Sequence, residues 1–136
     1  MTTPSPALAS LVDALQVGRE HRIHPGAWAS VAERFLDPQE TVLLALEGNG
    51  FTWWDPMLVV TDRRLLHLRK GTVLPWRRIR EVPAHDVAGA EFRRRFWWGP
   101  VIVRTRGGSR VWIRSGDDAA AQRFVDGLNR LIAGGR

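Results

Sequence analysis

The sequence predicts an α+β domain in which helices lead into a small antiparallel barrel and one further helix closes the chain. Three observations predict it. Residues 56–70, PMLVVTDRRLLHLRK, hold two apolar strands about a turn at Thr61, Asp62, Arg63 and Arg64. More short apolar runs follow, each bounded by glycine or proline. The chain then finishes on SGDDAAAQRFVDGLNRLIAGGR, where apolar residues recur with helical spacing. At 136 residues and 44% apolar content, the expectation is a single core built without metals or disulfides. Residues 1–37 form a helical extension and 38–136 the barrel with its closing helix.

Each element has a local reason. Ser5 can cap a helix with Pro6 at its first position, and Leu8, Leu11, Val12 and Leu15 then make one apolar stripe. Gly18 ends that helix. A second begins near Pro25, with Trp28, Val31 and Phe35 on one face, and stops at Asp37 and Pro38. From Thr41 the period changes, and TVLLALEG reads as a first strand closed by Gly48, Asn49 and Gly50. An aromatic loop, residues 51–55, leads into the hairpin, where Asp62 is expected to accept backbone donors in its own turn. Lys70 and Gly71 turn the chain into VLPWRRIREV, residues 83–86 break it, and VAGAEF follows as another strand.

Gly99 and Pro100 open a last hairpin whose alternation selects its loop. Val101, Val103, Thr105, Val111 and Ile113 share a face with a three-residue loop at Gly107, Gly108 and Ser109. Arg104, Arg106, Arg110, Trp112 and Arg114 then share the outer face, with Arg104 opposite Trp112. In the tail, Ser115 or Asp117 caps a helix whose stripe is Ala121, Phe124, Val125, Leu128, Leu131 and Ile132.

The totals narrow the function. There is no cysteine, hence no disulfide framework and no thiolate zinc site, and a cytoplasmic location is the expectation. The start of the chain lacks the pattern of a secretory signal, and no run approaches the length of a membrane helix. The net charge is +6, and every basic residue except Lys70 is arginine. Coding bias gives one cause of that preference. An anionic partner gives another, because guanidinium groups pair bidentately with phosphate or carboxylate and stack on rings. Seven tryptophans and five phenylalanines strengthen the second reading.

With LLALEG, LVVTDRRLLHL, IREVPAHDVAGAEF, GPVIVRTRGGSRVWI and FVDGLNRLI in that order, the chain resembles the bacterial pleckstrin-homology-like (PH-like) domains. The likeness is to the group with a short helical segment before the barrel. It spans residues 38–133. It implies two nearly orthogonal antiparallel sheets of about seven strands, plugged at one end by the C-terminal helix and preceded here by two helices. Fold membership alone does not supply a function. Eukaryotic relatives that bind phosphoinositides carry basic residues around the first loop. Here that loop, GNGFTWWDP, has no lysine or arginine, which disfavours that route.

The first candidate site is RRRFWWGP, where Arg93, Arg94 and Arg95 precede Phe96, Trp97 and Trp98; Trp53 and Trp54 form a second aromatic tip. Such tips suit a protein groove or an anionic membrane interface. A meander would bring both tryptophan pairs to one end of the barrel. The plainer reading is that these rings cover a barrel end or receive the N-terminal helices. A secondary basic strip comprises Arg104, Arg106, Arg110, Trp112 and Arg114, extended by Arg77, Arg78 and Arg80. Its plainer reading is a solvated sheet face partly neutralised by Glu81, Glu91 and Asp117.

His21 and His24 have helical metal-ligand spacing without a third ligand, and His85 beside Asp86 lacks a nucleophile. No phosphate-binding glycine motif is present. The sequence thus predicts a non-enzymatic module with no cofactor, metal or small-molecule substrate. Its expected partner is a protein or another copy of itself. The alternatives are peripheral attachment to the inner face of an anionic membrane and weak, non-specific nucleic-acid binding.

Overall fold

Ser5 and Pro6 open the first helix as their residue types dictate. The Ser5 Oγ accepts the Leu8 N–H at 3.2 Å, and α1 runs Pro6–Gln16. The structure, a computed structural model, describes residues 5–16, 26–48, 54–71, 75–95 and 99–134. The second helix, α2, is Gly26–Phe35. Then come β1 (Val42–Glu47), β2 (Trp54–Thr61), β3 (Arg64–Gly71) and β4 (Trp76–Pro83). A single 3-10 turn at Ala84–Asp86 leads to β5 (Val87–Phe92), β6 (Gly99–Thr105), β7 (Arg110–Ser115) and α3 (Asp118–Ala133). Among the described residues no helix is long and apolar enough to cross a membrane.

The architecture is α+β with two antiparallel sheets, β1-β2-β3-β4 and β5-β6-β7, followed by the C-terminal helix. One apolar cluster lies between the sheets. Leu58, Val60 and Leu65 meet Val101, Val103, Val111 and Ile113 there, and α3 adds Ala121, Phe124, Val125 and Leu128. Asp117 rather than Ser115 caps α3, its Oδ1 accepting the Ala120 N–H at 3.0 Å.

A second cluster lies on the opposite face of the four-stranded sheet. Ala7, Leu11 and Leu15 of α1, with Val31, Ala32 and Leu36 in and after α2, cover Met57, Val59, Leu66, Leu68 and Trp76. The expected single core is therefore two, with the four-stranded sheet between them. That is why Met57, Leu58, Val59 and Val60 form an unbroken apolar run: alternate side chains enter different clusters, and all four are buried. Leu11 and Leu15 of the expected α1 stripe are buried, with Leu8 and Val12 partly so; on α2, Val31 and Ala32 go deeper than Phe35. The expected end at Gly18 and start at Pro25 lie outside the described residues, as does the side chain of Trp28.

Two local expectations need correction. In the β2–β3 turn the Thr61 Oγ1, not Asp62, accepts the N–H groups of Arg63 and Arg64, each at 3.1 Å. Asp62 instead reaches across to Thr41, whose N–H it accepts at 3.1 Å. It thereby ties the turn to the start of β1. In the last hairpin the loop has three residues, but they are Arg106, Gly107 and Gly108. The ladder runs Val101↔Ile113, Ile102↔Trp112, Val103↔Val111 and Arg104↔Arg110. Arg104 therefore faces Arg110, and Trp112 faces Ile102. The frame is set by Gly108, whose φ of 92° suits glycine at the end of a three-residue hairpin loop. It is also set by Thr105, whose Oγ1 accepts the Ser109 N–H at 3.1 Å.

The edge strands are guarded by side chains from other elements. Ser10 of α1 accepts the Val42 N–H of β1 at 2.8 Å, and Arg34 of α2 donates to the Trp76 carbonyl of β4 at 2.8 Å. On the other sheet, the Asn129 amide of α3 accepts the Ala90 N–H of β5 at 2.9 Å and donates to its carbonyl at 3.0 Å. Arg80 reaches the Arg110 carbonyl of β7 at 3.3 Å and also bonds the Ser109 hydroxyl. Strand edges treated in this way are poor templates for another chain.

Candidate binding face

With α1 and α2 over the four-stranded sheet and α3 against the inner cluster, the outer face of β5-β6-β7 is a sheet face left uncovered by the described elements. Alternation from Val101 and Val103 puts Pro100, Ile102 and Arg104 on the outer face, where Pro100 and Ile102 are buried and Arg104 is exposed, and pairing lays them in rows. One row is Arg114, Pro100 and Arg93. The next is Trp112, Ile102 and Glu91. The third is Arg110, Arg104 and Gly89. A row that is apolar at Trp112 and Ile102 and acidic at Glu91 thus lies between two rows bearing arginines. Trp112 is 51% exposed, the more exposed of two large apolar side chains open to solvent among the described residues; the other is Ile79. Ile79 is the unpaired residue of a bulge on β4, where Leu68 pairs with Arg78 and His67 with Arg80.

A groove of about 240 Å³ crosses these rows obliquely, from β7 to the end of β5. It is lined by Arg110, Trp112, Ile102, Pro100, Arg93 and Arg95. Glu91, at the β5 end of the central row, receives bonds from Arg104 and from Arg93, the latter at 3.3 Å. Those two arginines, Arg104 foremost, hold its carboxyl below the usual carboxylate range. Arg94 instead pairs with Asp118 of α3 at 2.7 Å. Arg110 has no carboxylate partner among the described residues.

The sequence-derived sites are distributed as follows. Arg93, Arg94 and Arg95 are exposed, the first and third lining the groove. Trp53, Phe96, Trp97, Trp98 and the side chain of Trp54 lie outside the described residues, and with them the expected meeting of the two tryptophan pairs. Arg104, Arg106, Arg110 and Trp112 are exposed and Arg114 half-buried. Arg78 and Glu81 belong elsewhere, on the four-stranded sheet, where Glu81 pairs with Arg64 at 2.5 Å. Pro100 and Ile102 were not singled out from the sequence, although the alternation that placed Arg104 outward carries the signal for both. The second described indole, Trp76, is only 1% exposed and serves the core under the helices.

Other clusters are already committed to the fold. Glu40, fully buried, accepts from Arg64 Nε at 3.0 Å, Arg64 Nη2 at 2.8 Å, Thr61 Oγ1 at 2.5 Å and the Asp37 N–H at 3.1 Å. Burial pushes its pKa upward, but Arg64, Thr61 and Asp37 together outweigh burial and hold it below 4.5. Arg64 also donates to the Phe35 carbonyl at 2.6 Å, so the network fastens α2 to β3.

His67 is pushed down to about 4 by burial first and by Arg69 second. His85 is exposed beside Asp86, 3.8 Å away. His21 and His24 lie outside the described residues, and no three metal-ligating side chains cluster among those described. A second groove, of about 330 Å³, lies beside α3 against Val60, Val87, Leu128, Leu131 and Ile132. Asp62 and Arg64 at its rim are both engaged within the fold. Compared with known proteins, the chain matches no family model and no curated protein.

Proposed function

We propose that this chain is a non-enzymatic, PH-like binding module that docks a protein partner, or a second copy of itself, through the outer face of β5-β6-β7 and the adjoining arginine-rich segment. The observation that carries the reading is Trp112, exposed beside arginines over a buried floor of Ile102 and Pro100, while the other sheet's outer face is sealed by α1 and α2. An exposed indole beside arginines is the composition of an interface anchor. The order of four strands, three strands and a helix supports the PH-like assignment. The proposal carries a cytoplasmic location, where a protein partner is met without crossing a bilayer.

The test compares the intact chain with two variants checked by circular dichroism: Arg110→Glu with Trp112→Ala, and Trp97→Ala with Trp98→Ala. Sedimentation equilibrium over a wide concentration range reads self-association, and capture from a lysate reads a protein partner. Loss of either property in the first variant supports this face; loss confined to the second moves the site to the aromatic tip. Properties unchanged in both refute the proposal. Flotation with anionic but not neutral vesicles, abolished by the first variant, would replace the protein partner with a membrane.

A further inference from the structure

We infer that this face takes an extended acidic segment of the pattern acid-x-apolar-x-acid, the apolar side chain seated on Pro100, Ile102 and Trp112 and the acids meeting arginines at the two ends of the groove. The inference rests on the docking face proposed above and names the chemistry of what docks there.

Spacing is the first argument. Arg114, Trp112 and Arg110 alternate along β7; across the sheet Arg93 and Arg104 add one arginine to each outer row, and Ile102 continues the middle one. Outward residues on a strand repeat every ~6.8 Å, so the outer two rows stand ~14 Å apart. An extended peptide has the same repeat. Residues i, i+2 and i+4 of such a segment, laid parallel to β7, therefore fall in step with the three rows. The groove crosses the same three rows obliquely, from Arg110 on β7 over Ile102 and Pro100 of β6 to Arg93 and Arg95 beyond the end of β5.

Charge is the second. Arg110 has no carboxylate partner among the described residues, and Arg93 holds Glu91 only through an exposed pair at 3.3 Å. Exposed pairs of this kind contribute ~0–1 kcal/mol, so a ligand carboxylate can compete for Arg93. Guanidinium groups accept carboxylates in a two-pronged geometry that lysine lacks.

The manner of binding follows from the guarded edges. Arg80 already occupies the Arg110 carbonyl, and Asn129 occupies both backbone groups of Ala90. Strand addition at those points is blocked, which leaves recognition to side chains over the face. A nucleic-acid strand fits less well. Sequence-tolerant binding stacks successive bases on successive rings, and the described face offers one indole above an aliphatic floor.

The test uses fluorescein-labelled peptides read by anisotropy: GSEGLGEGS, its lysine counterpart GSKGLGKGS, its anchorless counterpart GSEGGGEGS, and an oligothymidylate. The first should bind about tenfold or more tightly than the second and third, a difference of about 1.4 kcal/mol. Arg110→Glu should weaken it about tenfold, whereas Arg77→Glu, the same charge change on β4, should stay within about twofold. Circular dichroism establishes that each variant is folded.

Equal binding of acidic and lysine peptides overturns the inference. So does equal weakening by Arg110→Glu and Arg77→Glu, or oligothymidylate held in place of the acidic peptide. If no acidic peptide binds but Arg110→Glu with Trp112→Ala still abolishes self-association or protein capture, the chemistry is wrong and the docking face stands. If that variant changes neither, both fall.

Discussion

Removing the Glu40 carboxylate should destabilise the protein by about 3 kcal/mol, at the lower end of the ~3–5 kcal/mol typical when one partner of a buried ion pair is deleted. The structure supplies the reason for the lower end. Glu40 is fully buried, but Arg64 keeps 22% of its side-chain surface exposed and retains Glu81 and the Phe35 carbonyl after Glu40→Ala. Thr61 keeps the Arg64 carbonyl, 3.3 Å from its hydroxyl. What is stranded is the Asp37 N–H and the part of the guanidinium that faced the carboxylate. With a urea m-value near 2 kcal/mol/M, the midpoint should fall by ~1.5 M.

Equilibrium unfolding in urea, followed by far-ultraviolet circular dichroism, measures the shift, and Glu40→Leu combined with Arg64→Met provides the control. Replacing both partners by apolar residues should recover most of the loss, because no buried charge is then left alone. A cost under ~1 kcal/mol for Glu40→Ala would show that the network does not hold α2 to the sheet. The acid dependence has a definite sign. A carboxyl held below its ordinary 4.5 stabilises the fold above that pH and ceases to as pH falls through its lowered value. The gap between wild type and Glu40→Gln should therefore narrow below pH 4.5 and not above it.

His67 works in a higher window. Its pKa is lowered from 6.5 to about 4, so the unfolded chain takes up a proton that the folded chain refuses. Stability should decline as pH falls from 6.5 toward 4, and melting of His67→Leu should be flat by comparison between 6.5 and 4.5. Gly108→Ala forces a side chain onto a backbone with φ of 92° and should cost ~1–2 kcal/mol in denaturant titration; no loss would mean that the loop has another frame. Asn129→Ala removes both bonds to Ala90 and should cost ~1–2 kcal/mol. It should also raise light scattering on storage, and unchanged scattering would show that this edge needs no guard.

Much of the fold was legible because its signals are local. Ser5 and Asp117 announce their helices through hydrogen bonds that span three residues, and the β2–β3 hairpin lies within one contiguous segment. The errors arose where a distant group competes. Asp62 has the chemistry for a self-contained turn, yet its carboxylate accepts the Thr41 N–H instead, and Thr61 takes over the local bonds. In the last hairpin, the pattern of faces gave a loop of three residues without saying which three. Moving the loop by one residue leaves Val101, Val103, Val111 and Ile113 facing inward, and the backbone of Gly108 with the Thr105–Ser109 bond separates the frames. The second core was hidden for a similar reason, since an apolar run such as residues 57–60 does not reveal what lies on its far side.

The candidate face was legible as a set of arginines but not as a groove. Its floor is made by Pro100 and Ile102, which read as ordinary strand residues until pairing sets them between Trp112 and Arg93. The partners that divide the arginines into engaged and available ones were equally out of view. Glu91 claims Arg104 and Arg93, and Asp118 claims Arg94, through contacts decided by where strands and helix end up in space.

The double coating of the four-stranded sheet makes position 37/38 a poor place to cut the gene. A truncated chain beginning at Pro38 would lay Met57, Val59, Leu66, Leu68 and Trp76 bare in water. It would also deprive Val42 and Trp76 of Ser10 and Arg34 at the sheet's margins. A workable minimal version would have to be redesigned with polar residues at those five positions, and the leader of the chain is better regarded as a third layer than as an appendage.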